Sequence, residues 1–211
     1  MEVLGSAIAA RDTTTNSHNY RVTIYAVRLA ESLKLRETQI RDLMAGSFLH
    51  DVGKIGINDA ILRKPGALNE EETKLMRQHV NLGLTIVEKA QWTRAARDII
   101  EFHHERYDGQ GYAQGLAGQE IPLTARIFSI VDVFDALTSS RPYKKAFHFK
   151  KAMEILNQER GLHFDPQILD VFSAIAQNLH ETIRCTDDQG LEQMLTELEN
   201  RYFLSSNKID Y

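Results

Sequence analysis

The chain of 211 residues has one cysteine, Cys185. A single thiol closes no internal disulfide and builds no cysteine zinc site, so a reducing, cytoplasmic setting is expected. Long apolar runs are missing as well. The longest stretch, 127–137, falls short of the roughly 18 residues a membrane span needs and holds Asp132 and Asp135, so no membrane insertion is expected. The opening MEVLGSAIAARD lacks the early basic residues and apolar run of a signal peptide. It reads as a helix entering a domain cut from a larger chain. A basic surplus is absent too. The net charge of −4 argues against binding nucleic-acid polymers, while saying nothing against a local basic pocket. Strand-like alternation, internal repeats and low-complexity tracts do not occur. With 43 % hydrophobic and 26 % charged residues, the composition is that of a soluble globular protein with one main core.

What is present is helical period. Val22, Tyr25, Ala26, Leu29, Ala30 and Leu33 trace one face at 3.6 spacing. A second helix is expected over about 37–51, with Ile40, Leu43, Met44, Ser47 and Phe48 inward, ended by Gly53 and Gly56. Asn69, followed by Glu70, Glu71 and Glu72, is an N-cap with a capping-box glutamate, and the helix it opens carries His79. A helix over about 93–105 leads into the glycine-rich loop RYDGQGYAQGLAGQEIP. Pro122 opens an apolar helix to about 137, and SSRPYKKAF is a basic turn. Helix resumes over about 149–160 with Gly161 at C′. Asp165-Pro166 starts a helix to about 179, and Asp187 or Asp188 a polar one to about 202. The fold expected is all-α, a bundle of roughly eight helices. Residues 1–180 form the functional domain and 181–211 a helical extension. The stripe Leu191, Met194, Leu195, Leu198 suits packing on its own domain, with a homodimer contact as the alternative.

The stretch SFLHDVGKIGI at 47–57 places His50, Asp51 and Lys54 among apolar neighbours. His18, His79, His103, His104 and Asp132 share that character, whereas His148, His163 and His180 fall in a turn, a loop and a polar helix end. Singly each has a bland reading: His18 as a cap, His50-Asp51 as a buried ion pair, His79 as a solvated side chain. Together they do not. A buried carboxylate without a partner costs several kcal/mol or neutralises, and few interior cations are at hand. A divalent ion binds neutral imidazole and carboxylate directly. Seven such ligands exceed the needs of one four-coordinate zinc and suit two octahedral ions sharing a carboxylate. Mixed histidine and aspartate ligation favours iron or manganese, with zinc, nickel, magnesium and cobalt as alternatives. Asp51, with two oxygens, can bridge. Lys54, three residues on, lies on the face of Asp51 and suits a phosphate oxygen.

These blocks resemble the HD-GYP family of HD-domain phosphohydrolases, bacterial phosphodiesterases of cyclic di-GMP built on a mostly helical core. The likeness covers about residues 9–175 and rests on RDTTTNSHNYRV, HDVGKIGINDAILRKPGAL, MRQHVNLG, HHERYDGQGY and ARIFSIVDVFDALTSSRPYKKA, in that order. Carried over by position, it implies metal ligands at His18, His50, Asp51, His79, His103, His104 and Asp132. It implies substrate contacts at Lys54, Tyr112, Arg141 and Lys144, and Asp135, one turn beyond Asp132, acting behind the ligands. Two departures stand out. The tripeptide that names the family is here Gly111-Tyr112-Ala113, without the proline that would lock φ. The glutamate that holds a third metal in some members is here Thr14, so two ions are expected.

The reaction so implied is metal-assisted hydrolysis of cyclic di-GMP to pGpG, with GMP to follow, and with Asp51 and Lys54 as the catalytic pair. Two rival readings stand beside it. One is a phosphohydrolase for a hybrid cyclic dinucleotide, a nucleotide or a phosphomonoester. The other is a poorly active regulatory module that binds diguanylate cyclase (GGDEF) domains through the Tyr112 loop.

Overall fold

A computed structural model describes residues 15–89, 96–140 and 145–204. Arg141, Lys144 and Thr14 lie outside the described residues. Helix α1 (Thr15–Ser32) buries Val22, Tyr25, Ala26, Leu29 and Ala30, the stripe its period predicts. It ends where Lys34 turns left-handed at φ 58°, with the Leu35 amide donating to the Ala30 carbonyl at 3.0 Å. Helix α2 (Glu37–Leu49) follows, then a 3-10 turn (Val52–Gly56), a single helical turn α3 (Asp59–Leu62), α4 (Glu70–Arg77), α5 (His79–Val87) and α6 (Arg97–Phe102). Beyond the loop come α7 (Leu123–Thr138), α8 (Phe149–Gln158), α9 (Pro166–Arg184) and α10 (Asp188–Glu199), closed by a π turn (Asn200–Leu204). No strand occurs among the described residues; Arg160 and Phe164 form an isolated bridge. The architecture is the expected all-α bundle.

Helix α1 lies at its centre, packed against α2, α7, α9 and α10. Phe134 on α7 meets Tyr25 at 5.4 Å and Phe172 on α9 at 5.1 Å, both edge to face, the arrangement ring quadrupoles favour. Leu191, Leu195, Leu198 and Tyr202 are buried in the same core, and the Tyr202 hydroxyl donates to Glu31 on α1 at 2.7 Å. The last helix thus packs on its own bundle. Helix α9 runs through residue 180, so the segment from 181 onward begins inside an element.

Boundaries differ from expectation in instructive places. The helix opened by Asn69 has its capping box, with Asn69 and Glu72 exchanging backbone–side-chain bonds at 2.9 Å, but it breaks at Gln78 into α4 and α5. Helix α2 stops at Leu49, before Asp51. The cause is contact: α5 crosses the 3-10 turn so closely that a Cβ on Gly53 would overlap the His79 carbonyl oxygen and the Gly83 amide nitrogen. The Asp165 cap, whose carboxylate accepts from Gln167 N at 2.9 Å, stands as expected, while Gly161 is left-handed (φ 77°) one residue beyond the expected C′ position, since Glu159 is the C-cap. Helix α9 continues past 179 to Arg184.

Gly53→Ala should lower stability by about 1–3 kcal/mol, because backbone rather than a flexible side chain must move. Urea unfolding of the metal-free protein measures this; an unchanged midpoint would mean that α5 does not press on the turn.

Candidate metal centre

Each ligand-type residue sits where a helix begins, ends or faces inward. His18 lies in the first turns of α1, His50 caps the end of α2, and Asp51 opens the 3-10 turn. His79 begins α5, His103 and His104 follow α6, and Asp132 lies mid-way along α7. Their ligand atoms gather in two groups. In one, atoms of His18, His50 and Asp132 lie within 4.8 Å of one another; in the other, atoms of His79, His103 and His104 do. Asp51 stands between the groups, its Oδ2 3.1 Å from His50 Nε2 and its Oδ1 3.6 Å from His79 Nε2. All seven expected ligands are therefore in one place.

The histidines are oriented from behind. Nδ1 of His50 lies 2.8 Å from the Ser47 carbonyl oxygen, that of His79 2.7 Å from Met76 O, and that of His103 2.9 Å from Ile99 O. A carbonyl can only accept, so Nδ1 carries the proton and Nε2 is the ring nitrogen turned toward the centre. His18 Nδ1 lies 2.8 Å from Asp135 Oδ2, and its Nε2 3.4 Å from Asp132 Oδ1. His103 Nε2 is buried with no partner, a state costing about 1–3 kcal/mol. His104 Nε2 faces His79 Nε2 at 3.2 Å. An orphaned lone pair, and two imidazole nitrogens aimed at each other, are what a cation would satisfy. The donor set therefore fits divalent metal.

The electrostatics agree. Burial pushes His103 down to about 4 and His104 well below the usual imidazole range, with neighbouring imidazoles adding to the effect. His79 is also lowered, chiefly by burial. All three are neutral ligands at pH 7. Burial works against the charged forms of His50 and Asp51 as well. For His50 the Asp51 and Asp132 carboxylates outweigh it and raise the imidazole. For Asp51, Lys54, His50 and His79 outweigh it and hold the carboxylate well below its usual range. Lys54 Nζ lies 2.6 Å from Asp51 Oδ2, on the face the three-residue spacing predicts.

Two residues went unread in the sequence. Arg21 grips Asp135 with Nε at 2.6 Å and Nη2 at 3.0 Å, completing a chain from arginine through carboxylate to His18. Its three-residue offset from His18 was the available signal. Glu105, directly after the histidine pair, is buried, and its Oε1 accepts from Gln114 N and from Gly115 N, the latter at 2.8 Å. It ties the loop of Tyr112 to the end of α6. Gly111 is obligatory there, since a Cβ would strike the Glu105 backbone and side chain. Tyr112 stacks on His104, centroids 4.5 Å apart. His180 lies elsewhere, stacked on Phe149 at 5.6 Å.

A family model described as HD domain matches residues 2–168. The cyclic di-GMP phosphodiesterase response regulator RpfG of Xanthomonas campestris is 43 % identical over 169 residues, which is 79 % of this chain and 45 % of that protein. The 3′3′-cGAMP-specific phosphodiesterase 2 of Vibrio cholerae is 39 % identical over 170 residues, 80 % of this chain and 33 % of that protein. The chain thus spans less than half the length of these relatives. The crystal structure of the V. cholerae cyclic GMP-AMP-specific phosphodiesterase V-cGAP3 matches with a TM-score of 0.63 at 18 % identity, over 83 % of this chain and 48 % of that one, a likeness of fold. No helix among the described residues is long and apolar enough to cross a membrane. A match across so much of its length makes this chain a member of the HD domain family.

Proposed function

We propose that the chain is a metal-dependent phosphodiesterase of the HD-GYP type that hydrolyses cyclic di-GMP to pGpG and on to GMP. The observation that carries this reading is Asp51 set between two groups of ligand atoms whose inner nitrogens include an orphan. His18, His50 and Asp132 would hold one ion, His79, His103 and His104 the other, with Asp51 reaching both. Iron or manganese suits a donor set of imidazole and carboxylate without thiolate. Bound ions would supply Lewis acidity toward the phosphoryl oxygens and an activated water.

The chain's own residues do the rest. The Ser47, Met76 and Ile99 carbonyls and Asp135 hold protons at Nδ1 of His50, His79, His103 and His18, so Nε2 of each is the nitrogen left to face an ion. Lys54, paired with Asp51, brings a cation to the place where a non-bridging phosphate oxygen would rest. Tyr112, its phenol held neutral by burial and the nearby carboxylates, offers a ring and a donor at the mouth of the site. Arg141 and Lys144 would anchor the remainder of the dinucleotide by fork and point charge. A cytoplasmic location, a homodimer, and docking of GGDEF domains on the loop of Tyr112 belong to the same proposal. So does a catalytic domain ending near residue 180.

A second reading has its own support: relatives named for 3′3′-cGAMP reach 39 % identity. Turnover of cyclic di-GMP and 3′3′-cGAMP by the same preparation, loaded anaerobically with Fe(II) or Mn(II), ranks the two. Asp51→Ala should lose metal from both groups, read by elemental analysis, and lower turnover at least roughly a hundredfold. Retention of either full metal content or full rate would sink the proposed role of Asp51.

Asp135 provides a pH test. Burial alone would raise its carboxyl, but His18 and Arg21 outweigh burial and hold it at about 2, below the ordinary 3.8. A lowered folded value stabilises the fold at pH above the unfolded value, and that contribution fades as pH falls from about 4 through 2. It amounts to about 2 kcal/mol. In metal-free protein, the stability gap between unmutated chain and Asp135→Asn should be full at pH 5 and close toward pH 2 in urea titrations. In metal-loaded protein the same variant should bind metal roughly 10–100-fold more weakly. A gap independent of pH would show that the Asp135 charge does not stabilise the fold.

A further inference from the structure

Arg77 ends α4, two residues before His79. Its guanidinium makes no hydrogen bond or ion pair among the described residues. Its Cζ lies instead 4.4 Å from the centroid of the Tyr112 ring. The same ring stacks on His104 at 4.5 Å with 27° between planes. Two groups centred so close to one ring cannot share a face, so Tyr112 is held between a guanidinium and an imidazole.

Apart from the close approach of Gly111 to Glu105, little else holds this part of the loop. The backbone of residues 111–113 makes no hydrogen bond among the described residues; the Glu105 anchor begins only at Gln114. Ala113 leaves φ unrestrained where a proline would fix it. A groove of about 210 Å³, lined in part by Arg77, Asn81, Tyr112 and Gln114, runs beside the ring. The position of residues 112 and 113 therefore rests on what Tyr112 touches. A guanidinium over a ring attracts the negative face while its stem covers apolar surface.

We propose that Arg77 is a positioning residue: by clamping Tyr112 onto His104, it fixes residues 111–113 as one wall of the site. It takes over the stiffening that proline would supply at 113. The part of this that concerns substrate rests on the phosphodiesterase reading above; the clamp itself does not.

The test uses the full metal-loaded chain, unmutated and as Arg77→Ala and Arg77→Lys. Chymotrypsin is added briefly, and cleavage after Tyr112 is followed by mass spectrometry against the other aromatic sites. In Arg77→Ala, cleavage after Tyr112 should quicken roughly fivefold to tenfold, with other sites and metal content unchanged. Arg77→Lys should fall between, since an ammonium keeps the charge but loses the flat stacking face. With cyclic di-GMP, KM should rise by a similar factor while kcat falls far less. Equal cleavage after Tyr112 in all three proteins would overturn the clamp. Faster cleavage with unchanged KM would overturn its role in forming the wall. Should Arg77→Ala be cut faster everywhere, it has unfolded, and Arg77→Lys against the unmutated chain decides. If the unmutated protein leaves cyclic di-GMP intact, the phosphodiesterase reading falls, and the cleavage rates still judge the clamp.

Discussion

Imidazole Nδ1 held by a main-chain carbonyl is the contact on which the centre depends. Ser47, Met76 and Ile99 lie near the ends of α2, α4 and α6, where carbonyls have spare acceptor capacity. His50, His79 and His103 use that capacity at 2.7–2.9 Å. The result is a tautomer set by backbone. Each ring is turned inward and aimed by an element that the hydrophobic core already fixes. Helix ends, which need partners in any fold, here become the mount for residues that could hold a metal.

This explains why elements stop where they do. Had α2 continued through residue 51, Asp51 would stay on the helix surface and its second oxygen would not approach His79. The 3-10 turn after Leu49 redirects it. That turn in turn requires Gly53, because α5 passes against it, backbone on backbone. The break at Gln78 has the same logic: α4 delivers Met76 O to His79, while α5 starts afresh in the direction that carries His79 over the turn. Glycine at 53 and a helix break at 78 are thus features of the site as much as of the fold.

These points mark what could be read from sequence. The stripe of α1, the Asn69 and Asp165 caps and the inward histidines were legible, because helical period and capping chemistry are local. That seven ligand-type residues belong together was legible, since a buried carboxylate among imidazoles has few other uses. The break at Gln78 was not, because no breaker residue stands there and only the crossing with the 47–57 segment requires it. Glu105 and Arg21 were missed for a related reason. Each looks like an ordinary charged residue until the fold shows what it grips: a loop in one case, a carboxylate behind a ligand in the other. Arg141 and Lys144 keep the standing that the family resemblance gives them.

Charge balance joins the two halves of the site. Three carboxylates, Asp51, Asp132 and Asp135, lie around five imidazoles. Arg21 answers Asp135 and Lys54 answers Asp51. Asp132 has the His18 ring at 3.4 Å and His50 within 4.8 Å, and no arginine or lysine paired with it among the described residues. The histidines cannot make up the difference as cations, since burial and mutual repulsion keep His79, His103 and His104 neutral. The protein has thus built a centre whose remaining negative charge and unpaired nitrogens point to the same space. A multivalent cation would answer both. Arg21, half-buried, is held by both oxygens of Asp135. The sequence spacing of each paired cation, Arg21 from His18 and Lys54 from Asp51, is three residues, a single helical turn.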